Sequence, residues 1–221
     1  NSTTGSASVG GADITVTNEV FTSVAAMNAE TPATNTVALL DPSVFSGAGA
    51  PEAPIAMIYN GTKWRPFSNR QQLFRAQFGN LTTPSMVLAA APGAFALSAQ
   101  PLIPANLLSI GDTLRFEYRI RRHGTAAMSH ALYFGSHATY NSNSAPIGPH
   151  TGAVVDLTSH DYSADFTFTS ATAGESTRNL AINSSTGSTA ITDLSTNINI
   201  AADQKAWPAC TVLTDSVDLL F

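Results

Sequence analysis

Residues 114–122 read Leu-Arg-Phe-Glu-Tyr-Arg-Ile-Arg-Arg. Apolar side chains fall at Leu114, Phe116, Tyr118 and Ile120, and charged ones at Arg115, Glu117, Arg119 and Arg121. A period of two puts each set on its own face of an extended chain. The stretch therefore predicts a strand half-buried in an antiparallel sheet. Ile-Gly-Asp-Thr at 110–113 reads as the turn into it, and His123-Gly124 as the turn out.

Residues 162–169 repeat the pattern. Tyr162, Ala164, Phe166 and Phe168 share one face, and Ser163, Asp165, Thr167 and Thr169 the other. Further strands are predicted at 13–17, 36–41, 72–78, 86–91, 131–135, 152–157, 178–183, 190–192, 197–200 and 211–221. Ile-Ala-Met-Ile-Tyr, Asn60-Gly61 and Thr-Lys-Trp-Arg predict a tight hairpin over 55–65, because Asn and Gly both tolerate positive φ. Residues 18–27 predict a short helix, with Val20, Val24 and Met27 on one face and Asn18 as its cap. Residues 1–12 are Ser, Thr, Gly and Ala rich and read as a linker or loose arm. Two prolines keep 101–108 from being a regular helix or a central strand. The expected fold class is all-β: an antiparallel β-sandwich over 70–221, preceded by a linker and small β-hairpin module over 1–69.

Of the 221 residues 43% are hydrophobic, enough for a real core, and only 11% are charged, against about 25% in an average soluble domain. The net charge is −5, with 10 Lys and Arg and no basic run. Nucleic acid is therefore not an expected partner, since phosphate binding needs clustered cations. No apolar run approaches the roughly 18 residues of a membrane helix. Cys210 is the single cysteine, so the chain forms no internal disulfide, which suits assembly in a reducing cytoplasm. The start at Asn1 carries no leader pattern, and 211–221 still reads as strand where it stops, so the native chain is expected to continue.

The sharpest functional candidate is the charged face of Arg115, Glu117, Arg119 and Arg121. Guanidinium forks suit carboxylate and phosphate, so the face could bind anions or glycans. The plainer reading outweighs it: a solvated strand face, or one paired with the carboxylates of Asp161 and Asp165. Trp207, beside Pro208 in what reads as a late loop, is a minor sugar-stacking candidate. Trp64 reads as packing at the junction of the two modules. These six residues, Arg115, Glu117, Arg119, Arg121, Asp165 and Trp207, are ligand or subunit-interface candidates.

No catalytic residue is assigned. There is no Gly-x-Ser-x-Gly elbow and no paired acids beside an aromatic cluster. Histidines at 123, 130, 137, 150 and 160 lack ligand spacing along the chain and read as surface and loop residues, so no metal or cofactor is expected. Acceptor triplets at Asn60, Asn80 and Asn183 read as incidental.

Residues 58–67, Ile-Tyr-Asn-Gly-Thr-Lys-Trp-Arg-Pro-Phe, followed by Gln-Leu-Phe-Arg at 72–75, resemble a pattern of bacteriophage tail-fibre and tail-tip proteins. There such a hairpin closes a small module and a jelly roll follows. Ile-Gly-Asp-Thr-Leu-Arg at 110–115, the alternation to Arg122, and Leu-Tyr-Phe-Gly at 132–135 resemble the core of those domains. The resemblance spans about residues 36–221. It implies a viral-type jelly roll in a non-enzymatic virion protein: a trimeric fibre or receptor-binding module, or else a capsid decoration or head-spike protein. The partners implied are copies of itself, other virion proteins, and a host surface glycan or protein. The location implied is the virion, after assembly in the host cytoplasm. Loops 136–149, 170–178 and 183–188 are the expected recognition surfaces. A glycan-acting enzyme or a free-standing carbohydrate-binding module is a weaker reading.

Overall fold

The computed structural model describes residues 5–9, 12–47, 49–68, 70–75, 86–88, 93–94, 101–122, 128–136, 146–152, 159–180, 191–194, 197–212 and 217–219. The described residues are all-β, with almost no helix among them. It divides into two compact units, Asn1–Arg75 and Ala76–Phe221. The expected division at 69/70 falls a few residues earlier. Residues 70–75 stay with the first unit, because Phe74 packs edge-on to Phe45 at 6.0 Å and the Arg75 amide donates to Gly49 O at 2.7 Å. Those contacts form without a ladder, so the strand expected from 72 is absent at 72–75. Residues 76–78 lie outside the described residues.

In the first unit, β1 (Gly5–Val9), β2 (Ala12–Phe21), β3 (Thr36–Leu40), β4 (Ile55–Tyr59) and β5 (Trp64–Pro66) form one sheet in chain order. Residues 5–9 are thus a strand antiparallel to β2 rather than a loose arm. Residues 18–21, expected in a helix, extend β2. The helix α1 (Val24–Ala29) starts later because Ser23, not Asn18, caps it, accepting from the Ala26 amide at 3.0 Å. Passage through α1 lets β3 lie parallel to β2. Val24 and Met27 of the helix are buried. Trp64 is buried against side chains of this unit, with its ring 5.4 Å from Phe21 and 5.5 Å from Tyr59.

The β4–β5 hairpin forms, but through a four-residue loop. Asn60 Oδ1 accepts from the Thr62 and Lys63 amides at 3.1 and 2.9 Å, an Asx turn that replaces the two-residue turn. Gly61 holds φ +94°, and a Cβ there would stand 2.9 Å from Thr34 Oγ1. Both facts require glycine.

The second unit holds two sheets. One has the order β11-β10-β15-β7, built from β7 (Gly93–Ala94), β10 (Met128–Gly135), β11 (Pro146–Gly152) and β15 (Gln204–Val212), with β8 (Leu102–Ile103) also on β15. The other has the order β14-β13-β12-β9-β16-β6, built from β6 (Met86–Leu88), β9 (Thr113–Arg122), β12 (Ser159–Ser170), β13 (Ala173–Leu180), β14 (Ile191–Leu194) and β16 (Val217–Leu219). Every pairing in both sheets is antiparallel.

The alternation sorts itself as expected in β9 and β12. Tyr118, Ala164, Phe166 and Phe168 are buried, and Arg115 and Glu117 exposed. Phe134 of β10 joins the two sheets. Its ring lies 5.3 Å from Phe116, 5.4 Å from Phe166 and 6.3 Å from Phe168. Gly174 lets β13 pass over this cluster, since a Cβ there would run into the Phe166 ring and the Thr167 carbonyl.

Several expected elements change. Residues 197–200 form a turn, not a strand. Asn197 sits at φ 60°, Ile198 is buried, and the Asn199 carbonyl accepts from Gln204 Nε2 at 2.6 Å. Residues 146–149, expected in a loop, belong to β11, and 173–178 to β13. Residues 153–157 and 181–183 lie outside the described residues.

Trp207 is in β15, not a loop, although Pro208 follows it. β8 pairs with Gln204 and Lys205, and β7 with Ala209 and Cys210. Pro208 falls between those two short partners, where no ladder bond needs its missing N–H.

Candidate functional site: the charged face of the long strand

The register of β9 decides what its charged face can do. Across β12, Thr113 stands opposite Thr167, Arg115 opposite Asp165, Glu117 opposite Ser163, Arg119 opposite Asp161 and Arg121 opposite Ser159. On the other side, Arg121 stands opposite Asp218 of β16. Directly opposed residues share a face. Each of the three arginines therefore has a carboxylate at the adjoining register position on a neighbouring strand.

The best-defined pair is Arg115 with Asp165. Nε reaches Oδ1 at 2.8 Å and Nη2 reaches Oδ2 at 2.9 Å. This is a bidentate fork. The hydrogen bonds and charge of Asp165 raise the Arg115 pKa above its ordinary value, with a smaller pull from Glu117. Burial is slight, with side-chain exposures of 54% and 23%, so solvent screens the pair. One step along, Thr113 and Thr167 share a hydroxyl hydrogen bond of 2.8 Å.

A fork already used by a carboxylate is not open to a second one in the same plane. The Arg115 fork is thus taken up by Asp165 and is not open to an outside anion in that plane. Asp165 and Asp161 were legible as candidate partners from the sequence. Asp218 was not, because only the β9–β16 register puts it beside Arg121.

Trp207 stands opposite Tyr133, and each is only 3% exposed. Its ring is part of the core and offers no open face for a sugar to stack on. Among the expected recognition loops, 170–178 is a tight β12–β13 hairpin with its turn at Ala171 and Thr172. Residues 137–145 and 183–188 lie outside the described residues.

His130, His150 and His160 occupy strands rather than loops. His123 and His137 lie outside the described residues. Among the described residues no group of three His, Cys, Asp or Glu stands ready to hold a metal, and no helix is long and apolar enough to cross a membrane.

No family model, no curated protein and no solved structure matches the chain.

Proposed function

We propose that the chain is a non-enzymatic structural protein of a bacteriophage virion. In this reading it is a trimeric tail-fibre or tail-tip module that attaches to the host surface. Its second unit is a viral-type jelly roll. One observation carries the fold part of the reading. Take β6, β7, β9, β10, β11, β12, β15 and β16 as strands one to eight. One sheet then contains the order 1-8-3-6 and the other 2-7-4-5. Two sheets that exchange the chain in this way follow the double Greek key of a jelly roll. Strands β13 and β14 extend one edge, and β8 is a short addition. Viral capsid proteins and lectins use this wrap, and a fold alone does not name a function. The motifs at 58–75 and 110–135 add the phage assignment by resemblance.

The Arg115–Asp165 pair fits a structural role. Paired opposite charges on an open sheet face leave it polar without a strong field for ligands. Attachment then rests on loops at the sheet ends, and weak glycan sites gain avidity when three copies act together.

Light scattering on the purified chain tests the assembly, and retention on bacterial surface polysaccharides tests the role. The expected results are a stable trimer and salt-insensitive retention. A monomer at every concentration refutes the trimer. A trimer that ignores both cells and glycans shifts the reading to a capsid decoration or head-spike protein.

A further inference from the structure

The two faces of the sheet in the first unit differ in burial but not in composition. Thr36, Ala38 and Leu40 of β3 stand opposite Tyr59, Met57 and Ile55 of β4, and all six are buried. Phe21 stands opposite Leu40 and Trp64 opposite Tyr59, so both join this face, which is the core of the unit. The residues in between make the other face. In one row Arg65 stands opposite Ile58, Ile58 opposite Val37, and Val37 opposite Val16. In the next row Ala56 stands opposite Leu39, and Leu39 opposite Val20. The Phe67 amide donates to Ala56 O at 2.9 Å, which carries that row one residue past β5. Ile14, two residues before Val16, extends the face along β2.

Apart from Arg65 at the β5 margin, all of these residues are apolar. Yet Val16 is 43%, Val20 44% and Phe67 51% exposed. They are three of the four large hydrophobic side chains left exposed among the described residues. At the corner beyond Val16 stands Gly5, where a Cβ would meet nothing within 4 Å. The contrast with β9 is direct, since the outer face of that strand carries Arg115 and Glu117. β3 and β4, reading Thr-Val-Ala-Leu-Leu and Ile-Ala-Met-Ile-Tyr, are apolar on both faces. Strands of that pattern belong to sheets covered on both sides, and an exposed apolar patch rimmed by a polar residue marks a contact surface.

Charge, width and area together select the occupant. The face holds one cation and no carboxylate, so it gives a charged partner nothing to read, and the same apolar face of another copy matches it. The four strands β2 to β5 make a face about 19 Å wide at about 4.8 Å per strand. Three such faces closing a triangle each stand about 5.5 Å from a three-fold axis, about half the 10 Å at which sheets pack face to face. Side chains from three copies therefore meet on the axis at ordinary packing distance. At about 33 Å² of sheet per residue, these residues cover about 300 Å² per copy and about 900 Å² over three copies, before the outward reach of the side chains is counted. A specific interface needs roughly 1,000 Å².

We propose that this face of the first unit is the surface through which three copies of the chain associate, with Val16, Val20 and Phe67 buried around the three-fold axis. The inference rests on the trimer proposed above and assigns its contact to the first unit. The rotation closes after three copies, so no free apolar face is left to grow a filament.

The test is light scattering on the full chain and on Val20→Asp and Phe67→Glu. Both side chains are exposed in one chain, so neither substitution touches the buried Trp64–Phe21 contact, and unchanged tryptophan emission checks this. At concentrations where the wild-type chain reads three times 23.0 kDa, each variant should read 23.0 kDa. Val20→Ala and Phe67→Ala, which bring no charge, should each raise the concentration of half-dissociation about tenfold. These milder variants decide the matter if a charged one does not fold. Variants that stay trimeric down to the wild-type dissociation concentration overturn this assignment and leave the trimer standing. A wild-type chain that is not a trimer overturns both.

Discussion

Phe134→Ala is the sharpest test of how the second unit holds together. Phe134 is 1% exposed and bridges the two sheets through rings at 5.3, 5.4 and 6.3 Å. Truncating a buried phenylalanine costs about 3–5 kcal/mol, including the cavity left behind. Each aromatic pair adds about 0.5–1.5 kcal/mol beyond its buried area, which places the expected loss in the upper half of that range. The two units carry separate reporters, because Trp64 is buried in the first and Trp207 in the second. Trp64→Phe silences the first reporter. It forfeits no hydrogen bond, since the Trp64 Nε1 is buried without a partner. In that background, urea unfolding followed by Trp207 fluorescence reads the second unit alone. With a slope of about 2 kcal/mol per molar urea, the midpoint should fall by about 2 M. The Trp64 transition of Phe134→Ala without the background change should stay in place. A fall below about 0.5 M would refute the role of Phe134 as the link between the sheets.

Gly174→Ala should destabilise the same unit by about 1–3 kcal/mol, because its Cβ overpacks the fully buried Phe166; a neutral effect on Trp207 unfolding would contradict the packing. Gly61→Ala should lower only the Trp64 transition, by more than about 1 kcal/mol, since alanine must adopt φ +94° against Thr34. A double-mutant cycle on Arg115→Ala and Asp165→Ala should give a coupling of about 0.2–1 kcal/mol that shrinks in high salt. A cation whose folded pKa is raised contributes stability that is complete below its ordinary value and is lost only as pH rises through the higher folded one. The coupling should therefore stay level from neutral to moderately alkaline pH, and a decline across that window would show that the fork is not the source.

The strands that alternate strictly could be read in advance because period two is a local property. Leu114 to Ile120 and Ala164 to Phe168 need only one buried face to be sorted, whichever neighbour supplies it. The hairpin at 55–66 was legible for the same reason, since Asn60 and Gly61 act within their own turn. Elements that depend on a distant partner were not. Residues 197–200 alternate Asn and Ile, yet they turn, held by Gln204. Residues 146–149 carry Pro and Gly, yet they pair with β10. Pro208 argued for a loop around Trp207, but only the gap between β8 and β7 shows that a proline is tolerated there.

The candidate site divides along the same line. The presence of an arginine-rich polar face follows from the order of residues 115–121. What that face can do depends on register, which sets Asp165, Asp161 and Asp218 opposite three arginines and lets Asp165 engage the Arg115 fork. A sheet aligns residues by hydrogen-bond register, and that register is set by core packing and bulges far apart in sequence.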